Sequence, residues 1–356
     1  MFYKKGQVLQ DRQERFGRRQ SYKVDHTPSY MDPAKRYTAG ILTQLARCEK
    51  LGYRVVIRST KYTNQERQKG NEGIIAGRNR LKRSLKLLND VQQETNCFPE
   101  LIDCIEVHNR DDLSSEDKEL ASQEPVFVCQ WLEGYTLDRF GKRKKDALYQ
   151  QDNTYWYKKK VEEIIDDQRL NQIDLKRLSR LIRALAIHCR SLLKCSVVHV
   201  DLKPEHVLIL FKDEVPRLLG IGHLAPLDDR LELSPTDPVH AFTTAGFSAP
   251  ELMNADTWSQ PLDGEALMLY SLGAIALSIF FTGPKADLCE IWRKKGRQGI
   301  DDLLQIFISQ GQQGNAKKLH FTEVISSLLD PNPKQRKAKY NLDKLIDELD
   351  PFAGKV

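Results

Sequence analysis

The spacing of apolar residues changes after the first third of the chain, and this change constrains the fold more than any other feature. Before it, short runs rich in β-branched residues predict strands, and one longer segment has a helical period. The strands are expected at 53–59, 101–107 and 126–132, and the helix over 65–93. Beyond residue 132 the apolar spacing is mostly that of helices, most clearly over 175–195. The sequence therefore predicts an α+β protein.

A chain of 356 residues is long enough for two domains. We expect a small β-rich lobe over 1–132, built around one main helix and carrying a basic N-terminal extension. A larger helical lobe is expected over 133–356, with short strands in its first half. Polar stretches over 109–124 and around 143–160 are expected to be exposed insertions.

The first 83 residues contain 20 Lys or Arg and 7 Asp or Glu, which gives this part a net charge of +13. Such a segment could meet an anionic partner, or it could form a solvated face that contacts the acidic remainder of the chain. Aromatic residues do not alternate with these charges, so the pattern does not favour nucleic acid.

No apolar run reaches the roughly 18 to 20 residues that span a bilayer, so no membrane association is expected. The seven cysteines form no Cys-x-x-Cys pair. This spacing favours a reducing, cytoplasmic environment in which cysteines serve as small core residues, and it does not favour a zinc site.

The segment His199-Val200-Asp201-Leu202-Lys203-Pro204-Glu205 carries the clearest chemistry in the chain. It follows a short predicted strand that contains Val197 and Val198. Phosphoryl transfer needs a carboxylate to accept the proton of the attacking hydroxyl and a cation close to the transferred group. Asp201 and Lys203, two residues apart, are the candidates for these two roles.

This segment resembles the catalytic loop of eukaryotic-type serine/threonine protein kinases. Three later segments resemble that family in the same order along the chain: Thr244–Glu251, Tyr270–Gly273 and Leu329–Arg336. The resemblance implies a bilobal kinase-like fold and structural roles for His199, Gly222, Glu251 and Arg336. It also implies an ion pair between Glu251 and Arg336.

In the first part of the chain the resemblance is thinner. It implies that Arg58, on the strand over 53–59, takes the place of a phosphate-binding lysine. It also implies that Gln130 and Leu132 lie where the family holds adenine. These three residues are the expected lining of a nucleotide cleft.

The chain departs from the family at both magnesium ligands. Gly220-Ile221-Gly222 stands where the family has Asp-Phe-Gly, and His206 stands where it has Asn. Glycine offers no ligand, and imidazole suits the oxygen-seeking magnesium ion poorly. Ser84 aligns with the helix glutamate that pairs with the phosphate-binding lysine, and Glu72 is the alternative candidate for that role. We therefore expect no metal at these positions, and phosphotransfer that is impaired or absent.

Three functions are compatible with these residues. The first is a pseudokinase that regulates or scaffolds another protein and requires no cofactor. The second is a divergent active kinase that uses Asp201 as base and binds ATP, with His206 or Asp213 holding magnesium or manganese. The third is an anion-binding adaptor that uses basic residues of the first part, such as Arg78, Lys82 and Lys86.

Overall fold

A computed structural model describes most of the chain in segments, and the following account is confined to them. They are 8–10, 21–26, 41–60, 68–69, 71–107, 124–137, 175–210, 212–213, 215–237, 243–254, 259–280, 288–312 and 316–353. The two polar stretches expected to be insertions, 109–124 and 143–160, lie outside the described residues except for Glu124, which begins a strand.

The chain forms two compact units. The first comprises residues 1–132 together with 221–223, and the second comprises 133–220 and 224–356. The main boundary lies between Leu132 and Glu133. The short segment 221–223, which the sequence assigned to the second part, belongs to the first unit because it packs against the helix of that unit.

The first unit contains six strands and one long helix among its described residues. The strands are β1 (Val8–Gln10), β2 (Ser21–His26), β3 (Ile41–Cys48), β4 (Arg54–Thr60), β5 (Leu101–Val107) and β6 (Glu124–Gln130), and the helix is α1 (Asn71–Glu94). The strands form one antiparallel sheet in the order β1-β2-β3-β4-β6-β5.

Alternation along the strands builds the core of this sheet. Val55 and Ile57 of β4 and Val126 and Val128 of β6 are buried in one cluster, while the residues between them point to the opposite face. Helix α1 contacts β4 and β6 and buries Leu81, Leu88 and Val91 at helical spacing.

The sequence underestimates the number of strands in this unit. It predicts β4, β5 and β6 but gives no signal for β1, β2 and β3, whose pairing depends on neighbours that are distant in sequence. It also places β6 two residues too late. The ladder with β4 ends at Gln130, opposite Val55, and the pairing with β5 extends back to Glu124.

A buried hydrogen bond links strands that are far apart in the sheet order. The hydroxyl of Tyr22 on β2 donates to Asp103 Oδ2 on β5 at 3.0 Å, and Tyr22 is fully buried. Strands β1 and β5 are also in contact. The two ends of the sheet therefore approach each other, and the sheet is strongly curled. Burial, followed by the charge of Asp103, raises the pKa of Tyr22 well above its ordinary value.

The second unit is mainly helical in its described residues. Its helices are α2 (Leu175–Lys194), α3 (Pro250–Met253), α4 (Gly264–Phe280), α5 (Leu288–Gln312), α6 (Ala316–Leu328), α7 (Pro333–Lys339) and α8 (Leu342–Ala353). Its short strands are β7 (Gly134–Thr136), β8 (Val197–His199), β9 (Val207–Leu210), β10 (Pro216–Leu218), β11 (Leu224–Pro226), β12 (Glu232–Leu233) and β13 (Leu262–Asp263).

Helix α4 lies at the centre of the second unit. It is apolar on all sides and nearly every residue is buried, as expected of an interior helix. It packs against α2, α5, α6 and α7. At Gly273 a Cβ atom would lie 2.9 Å from Leu328 Cβ and from Leu329 Cγ, so a glycine is needed for this close approach.

The sheets of the second unit are small and antiparallel. β9 pairs with β7 and β10, β8 pairs with β11, and β12 pairs with β13. No helix in the described part of the chain is both long enough and apolar enough to cross a membrane. No disulfide bond joins any of the seven cysteines.

The Tyr22–Asp103 hydrogen bond gives a pH-dependent prediction for the first unit. At neutral pH, Y22F should lower the free energy of unfolding by about 1 kcal/mol, because a buried hydrogen bond is lost. Above pH 10 the tyrosine ionises in the unfolded chain but resists ionisation when folded, so the wild type loses stability that Y22F keeps. Urea unfolding at pH 7, 10 and 11 should show that the difference in free energy of unfolding between wild type and Y22F becomes smaller as the pH rises. A difference that stays constant over this pH range would contradict the prediction.

Candidate functional site

The segment His199–Glu205 joins strand β8 to a short 3₁₀ turn, Pro204–His206, that leads directly into β9. Val197 and Val198 are buried and β-branched, which suits the strand, and Pro204 occupies the first position of the turn, where its missing N–H costs nothing. β8 is held by pairing with β11, in which His199 lies opposite Leu224.

His199 is fully buried, and its Nε2 lies 2.9 Å from the carbonyl oxygen of Leu219. This hydrogen bond joins the start of the candidate segment to the strand-like stretch just before Gly220. The ring is thereby hydrogen-bonded to the main chain of its own unit, and a purely structural role for His199 stays a prediction.

Asp201 and Lys203 form a buried ion pair. Lys203 Nζ lies 2.7 Å from Asp201 Oδ2, and it donates to Thr244 Oγ1 at 2.6 Å. Asp201 is 1% exposed and Lys203 is 9% exposed. The structure thus brings together the carboxylate and the cation that the sequence singled out, and it adds Thr244 as a third member of the group.

The chemical capacity of this group follows from its contacts. The carboxylate of Asp201 can accept a hydrogen bond from a hydroxyl group. The ammonium group can also neutralise part of the charge on a phosphoryl group. With Asp201 almost fully buried, however, the present arrangement presents little carboxylate surface to a substrate.

His206 lies beside this pair and is half-buried. Its Nδ1 is 2.6 Å from the main-chain oxygen of Asp201, so Nδ1 carries the proton of that hydrogen bond in the neutral ring. Nδ1 is also 3.8 Å from Asp201 Oδ2, and the rings of His199 and His206 are 5.5 Å apart at their centroids. Of the two expected magnesium positions, 206 offers an imidazole and 220 offers no side chain.

Asp213, the acid considered as a substitute metal ligand, is exposed between β9 and β10. Its Oδ1 accepts from the main-chain N–H of Val215 at 3.1 Å, the contact of a side chain that stabilises a turn. Binding of a metal by Asp213 stays a prediction.

Glu251 and Arg336 form the ion pair that the sequence predicts. Arg336 donates to Glu251 Oε1 through Nη2 at 2.7 Å and through Nη1 at 3.2 Å. Arg336 is fully buried, and its guanidinium carbon lies 5.2 Å from the centre of the Tyr270 ring. Burial raises the pKa of Glu251, and the charge of Arg336 opposes that rise. Burial also lowers the pKa of Arg336, and the charge of Glu251 opposes that shift. Because an arginine side chain stays protonated in proteins and a neighbouring cation favours the ionised carboxylate, we assign the pair as charged.

The residues expected to line a nucleotide cleft lie in the first unit. Arg58, on β4 opposite Phe127, is 7% exposed, and its Nε is buried without a hydrogen-bond partner. Among the described residues it has no carboxylate within ion-pair distance. Gln130 is exposed and its main-chain N–H donates to Glu100 at 2.8 Å, while Leu132 is half-buried.

The other residues of the first unit that the sequence singled out include a glycine and a serine named by the resemblance and three basic residues of α1. Gly222 is buried in the 3₁₀ turn Ile221–His223, and Ser84 is buried on α1. Lys82 and Lys86 are exposed on α1, whereas Arg78 is half-buried with two guanidinium nitrogens that have no hydrogen-bond partner.

Three hydrogen bonds around the site were not predicted from the sequence. Thr244 is the hydroxyl partner of Lys203, and Arg297 donates to Tyr270 Oη at 3.3 Å and to the Leu329 carbonyl at 2.9 Å. All three join residues that are more than 25 positions apart, and no local pattern signals such a pairing. Thr244 does open the segment 244–251 that the sequence singled out.

No protein-family model matches this chain, and no curated protein matches it.

The buried Glu251–Arg336 pair gives a stability prediction. R336M should lower the free energy of unfolding by about 3 to 5 kcal/mol, because it leaves a buried carboxylate without its counter-charge. K337M is the matched control on the same helix, since Lys337 forms a half-exposed pair with Asp263 at 2.7 Å. That substitution should cost no more than about 1 kcal/mol in chemical denaturation. Equal losses for the two variants would contradict the assignment of a charged buried pair.

Proposed function

We propose that this chain is a divergent member of the protein kinase family that acts as a pseudokinase, a regulatory or scaffolding module for another protein. In this proposal the first unit corresponds to the small lobe and the second unit to the large lobe of a bilobal kinase fold. The order of elements in the second unit supports it: β8, the turn with Asp201 and Lys203, the hairpin β9–β10, the segment ending at Glu251, and the buried helix α4.

One observation carries the functional half of the proposal. The Asp201–Lys203–Thr244 group is assembled, yet neither expected magnesium position supplies an oxygen ligand, because 206 is histidine and 220 is glycine. Magnesium prefers near-octahedral oxygen coordination and neutralises most of the charge in phosphoryl transfer. Without it, each ~1.4 kcal/mol of lost transition-state stabilisation slows transfer tenfold.

The burial of Asp201 supports the same conclusion. A catalytic base must come within hydrogen-bond distance of the substrate hydroxyl. In this chain one carboxylate oxygen is already paired with Lys203 at 2.7 Å, and the side chain is 1% exposed. The pair then serves to hold the loop in place, which a binding module needs as much as an enzyme does.

Phosphotransfer by the purified full-length chain is the direct test. With radiolabelled ATP, a generic protein substrate and either magnesium or manganese, we expect no transfer that depends on Asp201. The wild type is compared with D201N and with D213N, a matched removal of one exposed carboxylate. An active kinase in parallel shows that the assay works.

Transfer by the wild type that D201N abolishes would overturn the pseudokinase proposal in favour of a divergent active kinase. If D213N also loses transfer relative to the wild type, Asp213 would be assigned to an unusual metal site. Transfer that is equal in all three proteins would point to a contaminating kinase, and the proposal would stand.

A specific observation favours a second candidate function, the binding of an anion such as a nucleotide phosphate by the first unit without a metal. Arg58 is nearly fully buried, its Nε has no acceptor, and no carboxylate of the described residues pairs with it. A buried charge without a counter-charge is costly, so an oxyanion that reached this guanidinium would be stabilised by it.

Thermal unfolding with ATP or pyrophosphate, in the presence of EDTA, tests this second function. The anion should raise the Tm of the wild type, because a ligand at 100 times its Kd stabilises the folded state by about 2.7 kcal/mol. R58M should abolish the rise, whereas R54M, which removes an exposed arginine from the same strand, should keep it. A Tm that no anion changes, or a rise that survives in R58M, would refute the assignment.

A further inference from the structure

Gly220 has a backbone conformation and a neighbour that together exclude a side chain. Its φ is +71°, in the left-handed region that favours glycine. A Cβ atom on this residue would lie 2.9 Å from Cγ of His206 and 3.0 Å from both Cδ2 and Nδ1 of the same ring. Non-bonded carbon atoms pack at about 3.5 to 4.0 Å, so these contacts are repulsive.

The His206 ring is held where it meets Gly220. Its Nδ1 is bonded to the Asp201 carbonyl at 2.6 Å, and the His206 carbonyl accepts from the Leu219 N–H at 2.7 Å. The hydrogen bond from Leu219 to His206 holds the residue before Gly220 close to the residue that carries the imidazole ring. The imidazole therefore cannot move aside for a larger residue at 220 without breaking its bond to the Asp201 backbone.

We propose that His206 and Gly220 form a steric lock, in which the imidazole occupies the volume that any side chain at position 220 requires. The two changes at the expected metal positions are then one coupled feature, because a carboxylate cannot be accommodated at 220 while the imidazole is present. Restoring a divalent-cation site consequently needs both substitutions. The meaning of the lock for metal binding rests on the proposed function, whereas the steric coupling itself does not.

Thermal unfolding of G220A, H206A and the double variant H206A/G220A tests the coupling. G52A is the matched control, because Gly52, in the turn between β3 and β4, has a φ of +70° and no atom lies within 4 Å of a Cβ placed there. Both substitutions place a side chain on a residue with positive φ, but only G220A meets a ring. We expect G220A to lower Tm by roughly twice as much as G52A. In the H206A background the same substitution should cost no more than G52A does.

Equal Tm losses for G220A and G52A, or a double variant whose loss is the sum of the two single losses, would overturn the lock. These measurements use neither nucleotide nor metal. Phosphotransfer by the wild type would thus refute the pseudokinase proposal and leave the steric lock standing. Additive Tm losses of G220A and H206A would refute the lock and leave the pseudokinase proposal standing.

Manganese binding, followed by the electron paramagnetic resonance signal of free Mn²⁺, tests the consequence for the metal site. The full-length wild type is compared with H206N, G220D and H206N/G220D. Asparagine and aspartate supply the oxygen ligands that hard cations prefer, and aspartate is among the residues that best tolerate a positive φ. We expect tight binding by the double variant and at least tenfold weaker binding by the other three. G220D that binds as tightly as the double variant, or a double variant that binds no better than the wild type, would overturn the proposal.

Discussion

The buried ion pair between Asp201 and Lys203 connects segments of the second unit that are distant in sequence. Each of these charged groups would be costly to bury alone, and their contact at 2.7 Å offsets much of that cost. Because Lys203 also donates to Thr244, the pair joins the turn after β8 to a segment more than 40 residues further along the chain. The main-chain geometry of the turn is therefore tied to tertiary structure as well as to local preference.

The segment 244–251 is fixed in the same way at three points. Thr244 is held by Lys203 at one end, and Glu251 by Arg336 at the other. Between them, the Ser271 hydroxyl of α4 donates to the Phe247 carbonyl at 3.0 Å. Two of the three contacts involve buried charges, so displacement of the segment would expose or orphan a charged group. We infer that this part of the chain has one strongly preferred conformation.

The sequence predicted best the features that depend on local periodicity or on a single pair of chemical groups. The helix from Leu175, strands β4, β5, β8 and β9, and the mixed α+β class follow from apolar spacing. The Glu251–Arg336 contact follows from a resemblance between segments.

Features that depend on distant partners were missed. β2 and β3 carry mixed polar and apolar residues, and they become strands because each pairs with a neighbour on both sides. The curl of the sheet depends on Tyr22 meeting Asp103, which lies 81 positions away. The coupling of His206 with Gly220 needs the backbone angle of one residue and the ring position of the other, and neither can be derived from residue types alone.

The structural roles of Asp201 and Lys203 change what their presence can mean for function. An enzyme would need both residues for chemistry, but this chain needs both for the burial of charge whether or not it is an enzyme. Their presence therefore does not separate an active kinase from a binding module. Glycine at 220 has a structural reason of its own, because its φ is positive and the His206 ring fills the space of a Cβ atom. The residue types at 201, 203 and 220 are therefore all explained by the fold, and only direct measurements of metal binding and phosphotransfer separate the two functions.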